Sequence, residues 1–351
     1  KTDYDKAVSD SYEAIRLNPR LAAVYNNRGL AWNDKQVYDK AIDDFNEAIR
    51  LDPGDALAYS NRGYAWHNKQ DFDKAMDDYN QAIRLDPGLE AAYNNRGLAW
   101  SNKKDYDKAI SDYNEAVRLD PGDAGAYDNR GYSWYRKNDY EKALNDYNEA
   151  IRLDPGLARA YNNRGVVWRE NREYDKAIGD YNEALRLDPE LATVYSNRGL
   201  ALSDIMDYDK AIGDFNEAIR LDPKLAVAYN NRGLAWSAKE DYAKAIGDYS
   251  EAIRLDPSDP DGYNARAWIW ATAPDEKVRD GKRAVESATR ACEINAWKTA
   301  YDLDTLAAAY AELGDFDAAV KWQEKAIGLI DPNDAIVVAD YRTRLVLYRD
   351  K

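Results

Sequence analysis

The most constraining feature of this chain is an internal period of 34 residues. Eight prolines, from Pro19 to Pro257, each stand 34 residues apart. Seven glycines, from Gly29 to Gly233, keep the same spacing, and Ala267 follows next in that series. A period of this length without slippage predicts a repeat array, in which each unit buries its apolar surface against its neighbours.

One unit, residues 56–89, shows what each repeat is expected to form. Tyr59, Gly63 and Trp66 recur at helical spacing on one stripe, and a second apolar stripe begins at Phe72. Each unit is therefore predicted to be two antiparallel helices. Gly63 has no side chain, which suits a close approach of the two helices.

The ends of the second helix in that unit are also marked. Asp71 is a favourable N-cap, so it predicts the start of the helix. Asp86 and Pro87 predict its end, because the residue before a proline avoids the α region.

The order of a large aromatic residue, Gly, a large aromatic residue, then Ala, an aromatic residue, Ala and Pro resembles the tetratricopeptide repeat. This resemblance covers essentially the whole chain. It implies an all-α fold, a right-handed superhelical α-solenoid of tandem helix–turn–helix repeats, with the first helices lining a concave groove. Two departures are consistent: Arg precedes the Gly where the family usually has Leu, and Trp holds the inner aromatic position except at Leu202.

The sequence predicts five segments. Residues 1–21 match only a second helix, so we expect the chain to begin inside a repeat. Seven regular units span 22–259, a divergent unit with a five-residue insertion spans 260–298, and a last unit spans 299–332. Residues 333–351 predict one amphipathic capping helix. Its expected apolar face consists of Ile336, Val337, Tyr341, Leu345 and Tyr348.

Composition narrows the function. The net charge of −15 disfavours nucleic acid and suits a neutral to basic protein or extended peptide. No apolar run is long enough to insert into a membrane. No Gly-rich phosphate loop, HExxH or GxSxG motif occurs, so neither an enzyme nor a cofactor or metal site is expected. The single His67 is expected at the surface, and the single Cys292 is expected to be a buried structural thiol.

The repeated Arg needs an acidic partner because it stands beside the core-facing Gly. An equally regular Asp is the candidate, and two pairings are possible. Within one unit, Arg266 would face Ser287, which is not an acid. Across units, each Asp precedes its Arg by 18 residues, as Asp44 precedes Arg62. The sequence therefore predicts inter-unit pairs that clamp each second helix to the next first helix.

The Asn just before that Arg is the regular feature that best suits a partner. Its carboxamide offers one acceptor and two donors, which match a peptide backbone amide. Some superhelices of the family that this chain resembles use such an asparagine ladder to hold a peptide. The alternative is that each Asn caps or bridges neighbouring helices. The series is Asn27, Asn61, Asn95, Asn129, Asn163, Asn197 and Asn231.

Two further series are expected to face the groove. Three residues after each Asn stand Leu30, Tyr64, Leu98, Tyr132, Val166, Leu200 and Leu234. Immediately before each Asn stand Asn26, Ser60, Asn94, Asp128, Asn162, Ser196 and Asn230. A polar groove with an apolar stripe and almost no Lys disfavours the carboxylate clamp of the family's chaperone-tail binders.

The sequence thus predicts a protein-interaction scaffold that holds an extended peptide or protein segment through the asparagine ladder. A first alternative is a self-assembly module, with homo-oligomers forming through the N-terminal end. A second alternative is a targeting arm of a larger protein whose catalytic part lies outside these residues.

Overall fold

The computed structural model describes residues 2–331 and 334–351, with side chains from residue 4 onward. This described part of the chain consists of twenty helices and contains no strand. It divides into two compact units, residues 1–167 and 168–351. Within each unit, successive helix pairs stack on one another. The predicted all-α solenoid of tandem helix–turn–helix repeats is confirmed.

Ten helices begin in the first unit. They are α1 Thr2–Leu17, α2 Ala22–Asp34, α3 Tyr38–Leu51, α4 Ala56–Asn68, α5 Phe72–Leu85, α6 Glu90–Asn102, α7 Tyr106–Leu119, α8 Ala124–Arg136, α9 Tyr140–Leu153 and α10 Ala158–Glu170. The second unit continues with α11 Tyr174–Leu187, α12 Ala192–Asp204, α13 Tyr208–Leu221, α14 Ala226–Ala238, α15 Tyr242–Leu255, α16 Pro260–Thr272, α17 Gly281–Ile294, α18 Ala300–Leu313, α19 Phe316–Ile327 and α20 Ala335–Arg349.

The ends of α5 follow the sequence signals. The Asp71 carboxylate accepts a hydrogen bond from the Lys74 N–H at 3.2 Å, which satisfies one of the free donors of the first turn. The helix ends at Leu85, directly before Asp86 and Pro87. Both predicted ends of this helix are therefore confirmed.

In six of the regular pairs, the two helices meet where a glycine of the first lies against a buried ring of the second. A Cβ added to Gly63 would lie 2.8 Å from Cε1 of Tyr79, and one added to Gly29 would lie 2.6 Å from Cε1 of Phe45. Tyr79 and Phe45 are completely buried. Any side chain at this glycine position would push the two helices apart.

Each of these Arg–Asp pairs forms within one 34-residue repeat, so the predicted pairing between neighbouring repeats is wrong. Arg96 shows the geometry: its Nε and Nη2 donate to Asp112 at 2.8 and 2.6 Å. Its remaining Nη1 donates to Oδ1 of Asn80, on the preceding second helix, at 2.8 Å. The guanidinium does tie neighbouring repeats, but through an Asn. The same bidentate pairs are Arg28–Asp44, Arg62–Asp78, Arg130–Asp146, Arg198–Asp214 and Arg232–Asp248.

Among the described residues, Arg266 of the divergent repeat has no acidic partner within its own repeat and is an exception to this pairing. Arg266 faces Ser287, with Nη2 and Oγ 3.4 Å apart, and its Nη1 donates to Ser250 at 3.0 Å. Its guanidinium also lies 4.8 Å from the centroid of the Trp270 ring. Burial without a carboxylate lowers the pKa of Arg266. The divergent repeat therefore keeps the arginine after losing its acid.

The C-terminal helix α20 packs through Tyr341, which joins a core that includes Leu303 and Leu306, and Leu345 is also buried. Ile336, expected on the same face, is 84% exposed. Residues spaced by four lie on one side of a helix, as Tyr341 and Leu345 do, and Ile336 does not belong to that row. The boundary predicted between residues 332 and 333 lies outside the described residues.

The turn inside each regular pair contains one residue with left-handed backbone. In the last pair this residue is Gly314, with φ of 87°. The regular pairs place larger residues there, including Lys104 with φ of 62° and Asn138 with φ of 61°. A side chain in this conformation is strained by roughly 1–2 kcal/mol, and less for Asn.

We expect Lys104→Gly to raise the melting temperature, because glycine removes this strain. The gain should be about 1–3 °C after the entropy of glycine in the unfolded chain is subtracted. Circular dichroism melts of the full chain would measure it. Asn138→Gly is the matched control and should gain less. Equal gains, or a lower melting temperature for Lys104→Gly, would contradict the strain argument.

Candidate functional site

One side of the first helices carries two polar rows with an apolar stripe between them. Several residues of these rows are buried, and the predicted groove residues Asn230 and Asn231 are only 8% and 7% exposed. We call this surface the first-helix face. In the first unit it belongs to α2, α4, α6, α8 and α10, and in the second unit to α12, α14 and α16. Its residues lie on one side of each helix, because they are spaced by three, four and seven positions.

The first polar row joins the ladder asparagines to the preceding helix. Nδ2 of Asn61 donates to Oδ1 of Asn26, and Nδ2 of Asn129 donates to Oδ1 of Asn94, both at 3.0 Å. Asn163 donates to the Asp128 carboxylate at 3.0 Å. In the second unit, Asn231 donates to Oγ of Ser196 at 3.5 Å. These asparagines therefore bridge neighbouring first helices, which the sequence left open as the alternative role.

Asn95 differs from the ladder asparagines that bridge neighbouring helices. The residue at its bridging position on α4 is Ser60, which is buried. Within the described residues, the half-buried Asn95 carboxamide has no hydrogen-bond partner in the protein. Its donors and acceptor are therefore uncommitted at the centre of the first unit.

The second polar row lies one helical turn further along. Asn68 donates to Oδ1 of Asn33 at 3.3 Å, and Nδ2 of Asn102 lies 3.0 Å from Nε2 of His67. In the second unit, Nε of Arg169 donates to Asp204 at 2.6 Å. The sequence analysis did not single out this row, although the chain repeats Asn or another polar residue there.

His67 is buried, so its predicted surface position is wrong. Asn102 covers Nε2, and the ring of Phe72 packs edge-on with the centroids 5.2 Å apart. Burial lowers the pKa of His67 and favours the neutral imidazole. If Nε2 accepts from Asn102, the proton is on Nδ1, which is buried without a partner in the described residues.

Between the two rows lies the apolar stripe. Leu30, Tyr64 and Tyr132 are each 37–38% exposed in the first unit, and Leu234 is 49% exposed in the second. Leu98 is half-buried. The structure therefore brings the predicted apolar and carboxamide series onto one face.

A cavity of about 310 Å³ opens on this face in the first unit. Leu98, Tyr132 and Asn163 are among the residues that line it, and Asp128 lies buried in its wall. Nε of Arg159 donates to Oδ2 of Asp128 at 2.5 Å, although Arg159 itself is exposed. Burial raises the pKa of the Asp128 carboxyl, while Arg159 opposes that shift.

Arg159 is a residue of the face that sequence reasoning missed. Its Nη2 also donates to Oδ1 of Asn129 at 3.3 Å. The regular units place uncharged residues such as Ala23, Leu57 and Ala91 at this position. That single charge among uncharged counterparts was the signal available in the sequence.

One carboxyl group beside this face has an unusual titration. Burial and the carboxylates of Asp123 and Asp120 raise the pKa of Glu90 to about 7. Asp123 accepts from the Asn94 carboxamide at 3.1 Å and caps α8, so its negative charge is held in place. The first turn of α6 therefore carries a carboxyl group that charges only near neutral pH.

The described residues offer little for covalent or metal chemistry. Cys292 is completely buried, as predicted, and burial raises the pKa of its thiol to about 12. Among the described side chains, no group of three or more His, Cys, Asp or Glu is arranged to hold a metal ion. No helix in the described ranges combines the length and the apolar character that crossing a membrane requires.

Comparison with known families matches most of the chain to one kind of repeat. A model described as TPR repeat matches residues 33–70 and 131–171. A model described as tetratricopeptide repeat matches residues 56–89, 90–123, 158–191, 192–225 and 226–259. A further tetratricopeptide repeat model matches residues 303–333. No curated protein matches the sequence.

Solved structures share the fold. The APC/C hetero-tetramer Cut9–Hcn1 is 14% identical, with a TM-score of 0.63 over 96% of this chain and 81% of the other. A tetratricopeptide repeat protein from Parabacteroides merdae is 17% identical, with a TM-score of 0.55 over 76% of this chain and 98% of the other. PilF of Pseudomonas aeruginosa is 20% identical, with a TM-score of 0.54 over 60% of this chain and 96% of the other.

The raised pKa of Glu90 predicts that stability falls as pH rises from about 4.5 to about 7, because the folded chain holds the proton more tightly. Glu90→Gln mimics the protonated form. Its melting temperature should exceed that of the wild type slightly at about pH 5.5, and more at about pH 8.

Glu115→Gln is the control for this experiment. The Arg118 guanidinium lowers the pKa of Glu115, so removing that charge should not raise the melting temperature at pH 8. If the melting temperatures of Glu90→Gln and the wild type differ by the same amount at every pH, protonation of Glu90 does not contribute to stability.

Proposed function

Because this chain belongs to the tetratricopeptide repeat family, we propose that its first-helix face binds an extended peptide or protein segment of neutral to basic character. Proteins of this family bind proteins or peptides and are typically non-enzymatic, and this chain is a protein–protein interaction scaffold of that kind.

The alternation of polar rows and an apolar stripe supports the proposal. An extended peptide presents main-chain amides along its length and side chains to alternating sides. Carboxamides such as those of Asn61 and Asn129 have two N–H donors, and the bridges to neighbouring helices use one of them. The partly exposed Tyr64 and Tyr132 offer apolar contact beside those donors.

Asn95 is the observation that carries the proposal furthest. Its carboxamide makes no hydrogen bond within the described residues, yet it lies in the same row as Asn61 and Asn129. A polar side chain with uncommitted donors and acceptor that borders an apolar stripe is well suited to a ligand amide.

The net charge of the chain supports a neutral to basic ligand. The chain has a net charge of −15, which attracts cationic segments and repels acidic ones. The exposed cation of the cavity, Arg159, is already paired with Asp128. This pairing weakens its attraction for a ligand carboxylate.

The test begins with unstructured peptides selected on the immobilised full chain, whose affinities are then measured by fluorescence anisotropy. Replacing Asn95, Asn129 and Asn163 with Ala should weaken binding about tenfold or more, because each lost hydrogen bond contributes about 0.5–1.5 kcal/mol. The helical content should stay unchanged.

Two controls separate the ligand from the fold. Asn95→Ala alone removes no hydrogen bond within the described residues, so a loss of affinity reports on the ligand. Ser111→Ala with Asn145→Ala changes two exposed residues of second helices and should leave affinity unchanged. Full affinity in the triple variant would exclude the asparagine ladder as the binding element.

Self-association is a second candidate function, favoured by the surface of α1. Tyr12 and Leu17 of this helix are 54% and 71% exposed. We expect the apparent mass in light scattering to rise with protein concentration, and Leu17→Lys to suppress that rise. A constant monomer mass at all concentrations would exclude this candidate.

A further inference from the structure

The inner tryptophan of the regular repeats has a fixed environment. In six of them a lysine ammonium from the following helix lies over the indole ring. Lys74 lies 4.2 Å from the Trp66 centroid, and Lys244 lies 4.1 Å from that of Trp236. The other pairs are Lys40–Trp32, Lys108–Trp100, Lys142–Trp134 and Lys176–Trp168.

The repeat formed by α12 and α13, in the second unit, lacks this ring. Leu202 stands at the tryptophan position, but the lysine is kept as Lys210. Its ammonium pairs with Asp207 at 2.6 Å, and its side chain is 74% exposed, against 56% for Lys244. The repeat has therefore kept the cation and lost the aromatic partner.

A cavity of about 490 Å³ lies at this place. Its walls include Ile178, Leu202, Ile205, Lys210 and Gly213. Ile178, Leu202, Ile212 and Trp236 belong to one apolar cluster, and Ile178 precedes Leu202 by the same 24 residues as Ile212 precedes Trp236. Gly213 leaves the outer side open, because a Cβ added there would meet nothing within 4 Å. The lysine and the apolar side chains that accompany the tryptophan in other repeats are thus present here, but the indole ring is not.

The turn beside the cavity is also apolar in this repeat alone. Ile205 is 43% exposed and Met206 is 75% exposed. The other regular repeats have Lys or Asn followed by a polar residue at these positions: Lys35 and Gln36, Lys69 and Gln70, Lys103 and Lys104, Lys137 and Asn138, Asn171 and Arg172, Lys239 and Glu240. Exposed apolar residues that gather around an open cavity mark an interaction site.

We propose that this cavity is a second docking site, which binds the aromatic side chain, above all the indole of a tryptophan, of a partner protein. The cavity complements such a side chain through its charge as well as through its apolar walls. The Lys210 ammonium is attracted to the face of an aromatic ring, and tryptophan gives the strongest such attraction. An aliphatic side chain would fill the space without engaging the cation.

The volume agrees with this occupant. The cavity lies within the range of about 300–1,000 Å³ that is typical of small-ligand sites, and an indole is small enough to enter it. Its lining includes none of the residues assigned to the first-helix face. The two sites can therefore fail or succeed independently in experiment.

The probe for the test is N-acetyl-tryptophanamide, titrated into the full chain with 13C-labelled Ile, Leu and Met methyl groups. The methyl resonances of Ile178, Ile205 and Met206 should shift saturably, with a Kd on the order of 1–10 mM for so small a ligand. N-acetyl-leucinamide should bind at least about fivefold more weakly, because it has no ring for Lys210.

Leu202→Trp supplies the missing ring from within the chain and should reduce binding of the probe more than tenfold. The six other regular repeats carry Trp at this position, so the variant is expected to fold, which circular dichroism would verify. Lys210→Met keeps an apolar stem without the charge and should weaken binding about threefold to tenfold.

Three results would overturn the proposal. The first is the absence of saturable shifts in the wild type, and the second is undiminished binding by folded Leu202→Trp. The third is equal affinity for the tryptophan and leucine amides, which would make the cavity a general apolar surface.

Discussion

The contact between a glycine and a buried ring sets the geometry of each regular helix pair. With no Cβ at Gly63, α4 lies directly on the ring of Tyr79 in α5. The same contact is made by Gly29 on Phe45, Gly97 on Tyr113, Gly131 on Tyr147, Gly199 on Phe215 and Gly233 on Tyr249. Because the distance between the helices is fixed in this way, the outward side of each first helix is presented in a constant orientation. The polar rows and the apolar stripe depend on that constancy.

The repeated arginine shows what could and could not be predicted from the sequence. The period, the helix pairs, the N-cap at Asp71 and the glycine contact follow from spacing and residue type alone. The partner of each Arg did not. Ser287 is not an acid and so did not look like a partner for Arg266, whereas the structure places the two together beside Trp270. A ring face and two hydroxyls partly replaced the carboxylate, and no spacing rule reveals such a substitution.

The candidate site was predictable to a similar degree. Helical spacing placed the Asn series and the apolar series on one face, because that requires only 3.6 residues per turn. It did not reveal that Asn61 would donate to Asn26, because that contact depends on how far one helix is shifted along the next. The same shift buries His67 under Asn102. Contacts between helices that are distant in sequence are set by packing, which a one-dimensional pattern does not encode.

The way Arg96 is held has a consequence for how such chains change in evolution. One edge of its guanidinium binds Asp112 of its own repeat, and the remaining nitrogen binds Asn80 of the repeat before. Regular repeats that carry both the Arg–Asp pair and this Asn thus offer the same half of a junction at each end, whereas the last regular repeat has Ser250 in place of the Asn. Duplication or deletion of a 34-residue block by recombination would rejoin matching halves, so the array can lengthen or shorten without compensating mutations. Where Ser287 replaces the acid, this interchangeability ends, and the terminal repeats are free to diverge.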